Sequence, residues 1–260
     1  MSSLPTIVLV HGAWHTPANY STYVNALQKQ GFQVHCPRLP TSSNARPPTA
    51  FLPEDVACVK ELVNTLIDDG QRVLMIMHSY GGAVGSSAVE GLSLSERKSS
   101  GNPGGVIHLL YLCAYILPTG YSMWNIVQEA KFEKVLDDYM TTTTDGVTMP
   151  NEPGLSFFSG KADQATVDKA LETLVWFPSR VFKDPTTGCA WKTIPTTYIR
   201  TLQDYGVPAV YQDIMLAKVQ DEGVVVKTEV YDADHSIFIT MEREMVQAAL
   251  NAAADERNTV

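Results

Sequence analysis

Val73-Leu74-Met75-Ile76-Met77-His78-Ser79-Tyr80-Gly81-Gly82-Ala83-Val84 decides how this 260-residue chain is read. The unbroken apolar run suits a strand buried on both faces, and the small residues from Gly81 onward suit a helix that starts close against a sheet. Between them stands Ser79, at the apex of a sharp strand-turn-helix. Such a strained turn lifts a hydroxyl clear of the sheet and aims the next helix N-terminus at the reacting oxygen. The G-x-S-x-G pattern asks for a small residue two places before the serine. Gly81 keeps to it and Met77 departs from it, so the Met77 side chain must turn away into the neighbouring strand or the turn must open. A serine between a strand and a helix is also a common helix N-cap, and only other segments can decide between the two roles.

Two such segments are present. Thr6 to Val10 is a short apolar β-run that ends in His11-Gly12-Ala13-Trp14. A strand leading into His-Gly and a small residue supplies the second backbone N–H of an oxyanion hole, the first coming from the residue after the nucleophile. The expected donors are Ala13 and Tyr80. Near the other end, the strand-like run Val224 to Tyr231 leads into Asp232-Ala233-Asp234-His235-Ser236. A histidine beyond the last strand can fold back over the serine as general base. The acid is expected between them in chain order, and Asp204 follows the strand-like Ile194 to Thr201. The stretch after Ala114 offers no carboxylate, and Asp232 and Asp234 lie too near His235 to face its ring. They read as hydrogen-bonding groups that hold the histidine loop.

His11-Gly12-Ala13, His78-Ser79-Tyr80-Gly81-Gly82, Leu202-Gln203-Asp204 and Asp234-His235 together resemble the small α/β-hydrolases that include plant methyl-ester esterases, hydroxynitrile lyases and pyrethroid-type esterases. The resemblance covers nearly the whole chain. It implies an α/β-hydrolase fold: a mostly parallel sheet flanked by helices, with an inserted, largely helical cap. Lyases of this group carry Thr directly after the first-strand His and Lys directly after the catalytic His. Here Gly12 and Ser236 occupy those positions, which points to the esterase side. Met77 stands where family members usually have Gly.

Composition sets the outer limits. A net charge of -9 with no basic stripe argues against a nucleic-acid partner. No apolar run reaches the length of a membrane span, since Val106 to Leu117 is interrupted by His108 and reads as a central strand. The first residues lack a basic segment followed by an apolar one, so no signal peptide is expected, and Asn19-Tyr20-Ser21 carries little weight as a glycosylation site. Cys36, Cys58, Cys113 and Cys189 show no C-x-x-C pairing and read as reduced thiols of a cytoplasmic protein. No cluster has metal-ligand spacing, and Gly101-Asn102-Pro103-Gly104-Gly105 precedes a strand instead of opening a helix. Neither a metal nor a cofactor is therefore expected. The sequence leaves the oligomeric state open, a homodimer included.

The remaining order of elements is β/α alternation with catalytic candidates at strand C-terminal ends. Pro53, Glu54 and Asp55 open a helix, with Val56, Val59, Leu62, Val63 and Leu66 as its apolar stripe. Residues 93–105 read as a Ser- and Gly-rich loop, and residues 37–50 as the most flexible-looking stretch of the core. Alternation stops between Pro118 and Lys192. The expected organisation is core over residues 1–117, cap over 118–193 and core again over 194–260.

The cap holds a predicted helix over 162–175 and many aromatic residues. These either roof an apolar pocket, with Trp124 and Trp176 as candidate substrate contacts, or merely glue cap to core. Gly12, Trp14 and His15 of the first loop are further candidates. His15 reads either as a pocket donor or as a solvated loop residue, and His78 as packing beneath the turn. The expected function is a serine hydrolase cleaving a carboxylic ester or lactone of a small, largely apolar molecule. Non-hydrolytic lyase or isomerase chemistry on the same triad, and a ligand-binding receptor on this scaffold, stand as alternatives.

Overall fold

The structure, a computed structural model, describes residues 4–159 and 161–255. In chain order it begins β1 (Thr6–Val10), α1 (Ser21–Lys29), β2 (Val34–His35), α2 (Leu52–Asp68), β3 (Arg72–His78), α3 (Gly81–Ala88), α4 (Leu94–Ser99) and β4 (Gly105–Leu112). A long inserted segment follows, with α5 (Met123–Glu129), α6 (Glu133–Tyr139), β5 (Met140–Thr142), β6 (Val147–Pro150), α7 (Pro153–Phe158), α8 (Gln164–Leu171) and β7 (Phe177–Pro178). The chain then returns to β8 (Thr196–Thr201), α9 (Ala209–Asp221), β9 (Lys227–Tyr231), α10 (Ile237–Thr240) and α11 (Glu242–Asp255).

The main sheet runs β2-β1-β3-β4-β8-β9, and every pairing in it is parallel. Its central strands β1, β3 and β4 are buried almost throughout, which is why they read as continuous apolar runs. The strand period sorts their side chains between two layers. Ile7, Leu9, Leu74, Ile76, Leu110 and Leu112 face α1 and α11, while Val8, Val10, Val73, Met75 and Leu109 face α2, α3 and the inserted segment. On α2 the expected stripe buries Val59, Val63 and Leu66, and Glu54 accepts the Phe51 N–H at 2.8 Å to close the first turn.

Several local expectations change. Ser93 caps a short helix by accepting the Glu96 N–H, so the stretch read as loop contains α4. The Val224 to Tyr231 run becomes a strand only from Lys227, at the exposed edge of the sheet. The inserted segment is largely helical, as expected, and adds three short strands that pair antiparallel in the order β5-β6-β7. The loop after β2 is well anchored. Arg38 donates to the Ser42 carbonyl at 2.7 Å, and Thr41 binds the Asp55 carboxylate. Among the described residues no helix is long and apolar enough to cross a membrane.

Candidate active site

Ser79 sits between β3 and α3 with a left-handed φ of 55°. Its own backbone pins the turn: its N–H donates to the Leu112 carbonyl, and its carbonyl accepts from Tyr115 N–H at 2.9 Å. Close approach explains Gly81, because a Cβ there would lie 2.2 Å from the Val10 carbonyl oxygen. Met77 does not open the turn. Its side chain is fully buried against α3, where a Cβ on residue 85 would meet its sulfur at 2.4 Å, so Gly85 supplies the space that Met77 fills.

The candidate acid and base, Asp204 and His235, follow β8 and β9. His235 Nδ1 is 2.9 Å from Asp204 Oδ2, with both side chains almost fully buried. Asp204 also accepts from Thr201 Oγ1 at 2.8 Å and from the Val207 N–H at 2.7 Å. The Asp204 oxygen facing the ring accepts, so Nδ1 carries the imidazole proton and Nε2 is left without one. Gln212, which sequence reasoning passed over, holds the acid turn by donating to the Thr201 and Val207 carbonyls and accepting the Thr201 N–H. Asp234 accepts from Thr240 Oγ1 at 2.9 Å, and Asp232 pairs with Lys161 at 3.1 Å.

A hydrogen-bonded strut joins the three loops. His78 Nε2 lies 2.9 Å from the His235 carbonyl, which can only accept, so Nε2 is protonated and Nδ1 must accept. Tyr20 therefore donates its hydroxyl proton to Nδ1 at 2.6 Å while accepting the Gly12 N–H at 3.0 Å. The first-strand loop, the serine turn and the histidine loop are thus held by one tyrosine and one histidine. His78 Nε2 and Cys113 Sγ both point at the His235 carbonyl, which commits the buried His78, Cys113 and His235 cluster to hydrogen bonding. In the first-strand loop, Trp14 takes a left-handed φ of 61°. The Ala13 and Tyr80 N–H groups find no acceptor among the described residues.

The Alpha/beta hydrolase family model matches residues 7–248. The chain belongs to the alpha/beta hydrolase family. It is 27% identical over 208 residues to "Alpha/beta hydrolase nvfD" of Aspergillus novofumigatus, covering 80% of this chain and 81% of that one. Among solved structures it is similar to a pyrethroid hydrolase from Sphingobium faniae JZ-2, with a TM-score of 0.71, 21% identity, and coverage of 96% and 98%. Tomato methylketone synthase I, solved with 2-tridecanone, gives a TM-score of 0.74 at 12% identity, with coverage of 98% and 100%.

Beside the pair, this alpha/beta hydrolase has a cavity of about 510 Å³ lined by Trp14, Tyr115, Phe132, Tyr139, Phe182 and Tyr211, and reaching Asp204 and Gly206. Ser79 and His235 are not in its lining, and they are only 6% and 2% exposed. Phe157 of α7 packs beside the histidine: its ring stacks 5.8 Å from His235, lies 6.0 Å from Trp14 and 4.9 Å from His15, and its carbonyl accepts the Ser236 N–H. His15 is buried, with Nδ1 bonded to the Ala13 carbonyl at 2.7 Å. Gly12 packs against the serine turn, where a Cβ would sit 3.0 Å from Ser79 Cβ. Trp124 lines a separate cavity with Arg180 and Lys183, and Trp176 stacks under Arg46 at 4.8 Å, outside the cavity at Asp204.

The buried ionisable groups dictate a pH dependence of stability. Burial lowers His11 and His108 to about 4 and His15 to about 3, and holds His78 well below its usual value, so the folded chain keeps all four neutral where the unfolded chain protonates near 6.5. Burial raises the carboxyls of Asp55 and Asp234 to about 6, so the folded chain binds those two protons first. Near pH 5 the unfolded state thus holds four imidazole protons against two carboxyl protons in the fold. The net uptake of about two protons on unfolding makes stability fall by about 3 kcal/mol per pH unit there. Urea denaturation at pH 7, 6 and 5 should show a steeply falling midpoint; a flat profile refutes this balance.

Proposed function

We propose that the chain is a serine carboxylic-ester hydrolase acting on a small, largely apolar, uncharged ester or lactone through an acyl-enzyme. The observation that carries this reading is the 2.9 Å contact between His235 and Asp204, which follow β9 and β8 of the same parallel sheet whose β3 ends in a serine held at positive φ. Asp204 orients His235 and stabilises its cation, and His235 Nε2 takes the Ser79 proton as Oγ attacks the ester carbonyl. The Ala13 and Tyr80 N–H groups hold the oxyanion, each such donor lowering the barrier by about 3 to 4 kcal/mol. His235 then protonates the leaving alcohol and activates the water that releases the acid.

The inserted segment acts as the cap in this reading. Its aromatic cavity suits an apolar substrate, and no lysine or arginine is among the described residues that line it, so a neutral molecule is favoured over a carboxylate. Ser79 and His235 are almost closed off from the surface, so substrate entry calls for local opening around them, with Phe157 beside His235 one side chain placed to take part. Gly12 and Ser236 keep the site free of the hydroxyl and the cation that cyanohydrin cleavage uses, and a Thr at residue 12 would crowd Ser79. The pyrethroid hydrolase and the ketone-bound methylketone synthase lend support, since both names point to apolar molecules.

The test is incubation with p-nitrophenyl acetate and a fluorophosphonate probe, followed by mass spectrometry. Burst release of nitrophenol with an adduct on Ser79 is expected, together with no cyanide from mandelonitrile above the buffer rate. Cyanide release that needs Ser79 and His235, with no ester cleaved across a broad panel, overturns the assignment.

A further inference from the structure

Asp55 is a first-turn acid of α2 and is fully buried. Its carboxylate accepts the Thr41 N–H at 2.9 Å, the Thr41 hydroxyl at 2.6 Å and the Tyr80 hydroxyl at 2.8 Å. No lysine or arginine pairs with it among the described residues. The three donors and the α2 N-terminus compensate its charge. Each side of this arrangement leads to one of the two N–H groups assigned above to the oxyanion. Tyr80 follows Ser79 directly, and its ring is held at the hydroxyl by Asp55 and at the edge by Phe177, 5.1 Å away. Thr41 lies in the turn Pro40–Ser43, next to Leu39, whose N–H donates to His11 Nε2 at 3.1 Å. His11 in turn donates from Nδ1 to the Gly12 carbonyl at 2.9 Å, immediately before Ala13.

We infer that Asp55 is a positioning residue for the oxyanion site, setting the spacing of the Ala13 and Tyr80 N–H groups through the Thr41 turn on one side and the Tyr80 phenol on the other. The inference rests on the esterase reading above. A neutral ester carbonyl binds such donors weakly and the tetrahedral oxyanion binds them strongly, so misplaced donors cost turnover and leave substrate affinity almost untouched. Simple helix anchoring by Asp55 would instead reduce the amount of folded enzyme and leave each folded molecule fully active.

The experiment compares Asp55→Asn, Tyr80→Phe and Thr41→Val with the wild type. It uses p-nitrophenyl esters, with active sites titrated by the fluorophosphonate probe and melting temperatures recorded alongside. Asp55→Asn is expected to lower kcat per titrated site by about tenfold or more while KM stays within about twofold. Its affinity for a trifluoromethyl ketone, whose adduct carries the oxyanion, should fall by the same factor. Tyr80→Phe and Thr41→Val each cut one arm and should lower kcat by less, and Tyr80→Phe should add less in the Asp55→Asn background than alone. Wild-type kcat per titrated site in Asp55→Asn overturns the inference. Should that variant not fold, unchanged kcat in both single-arm variants overturns it equally. A wild-type chain that neither labels at Ser79 nor cleaves any ester removes the esterase reading, and this inference with it.

Discussion

Ser79→Ala is expected to lower ester turnover at least about a thousandfold while leaving the fold in place, as removal of a triad nucleophile generally does. The fold should survive because the bonds that hold the turn are made by the backbone of residue 79: its N–H to Leu112 and its carbonyl from Tyr115. Gly81 keeps its close approach to Val10, and alanine occupies the same positive-φ position with about the same strain as serine. Circular dichroism and melting temperature should therefore match the wild type, and the fluorophosphonate adduct should vanish. Retention of most activity with an unchanged spectrum would show that the chemistry lies elsewhere.

Asp204→Asn should be nearly as damaging, and far more so than the same change at Asp232 or Asp234. An amide at 204 either presents its NH2 to His235 Nδ1, which forces the other tautomer, or presents it to the Val207 N–H, which sets two donors against each other, and in both orientations the negative charge beside the ring is lost. A loss in kcat of about a thousandfold or more is expected. Asp232 has 65% of its side chain exposed and pairs with Lys161 and Gln203 at the surface, so its replacement should leave kcat almost unchanged. Asp234 is buried, with one oxygen on Thr240 and the other without a partner, and its burial already favours the neutral form that asparagine imitates. Should Asp234→Asn reduce kcat as much as Asp204→Asn without lowering the melting temperature, Asp204 is not the acid.

The parts of the molecule legible in the sequence are those where local pattern and tertiary environment agree. β1, β3 and β4 are buried on both faces, and their apolar runs announce them. The first loop follows β1 and Ser79 follows β3, while Asp204 and His235 follow β8 and β9. Illegible parts depend on partners distant in sequence. Asp55 looks like any first-turn acid, because its donors are Thr41 and Tyr80, 14 and 25 residues away. Gln212 looks like a surface helix residue for the same reason. Val224 to Val226 have strand-like residues but stay outside β9, and Val225 is 95% exposed. The sequence offered Trp124 and Trp176 as pocket candidates without saying which way either faces, since composition carries no direction. One lines a neighbouring cavity and the other packs beneath an arginine.

Met77 and Gly85 make the serine turn a two-residue decision. With methionine at 77, alanine at 85 would place a methyl 2.4 Å from the sulfur, so the glycine is conditional on the methionine. Shortening Met77 first leaves a void, at a cost of about 2 to 5 kcal/mol for a methionine cut to alanine in a core. A shorter side chain at 77 would leave room for a methyl at 85, since the next atom such a methyl meets is Met75 Cε at 3.6 Å. Variation in this part of the chain is therefore coupled: a methyl at position 85 requires the Met77 side chain to shift, and shortening Met77 removes that requirement. A library that changes one position at a time samples the penalties of this pair and misses its other solution.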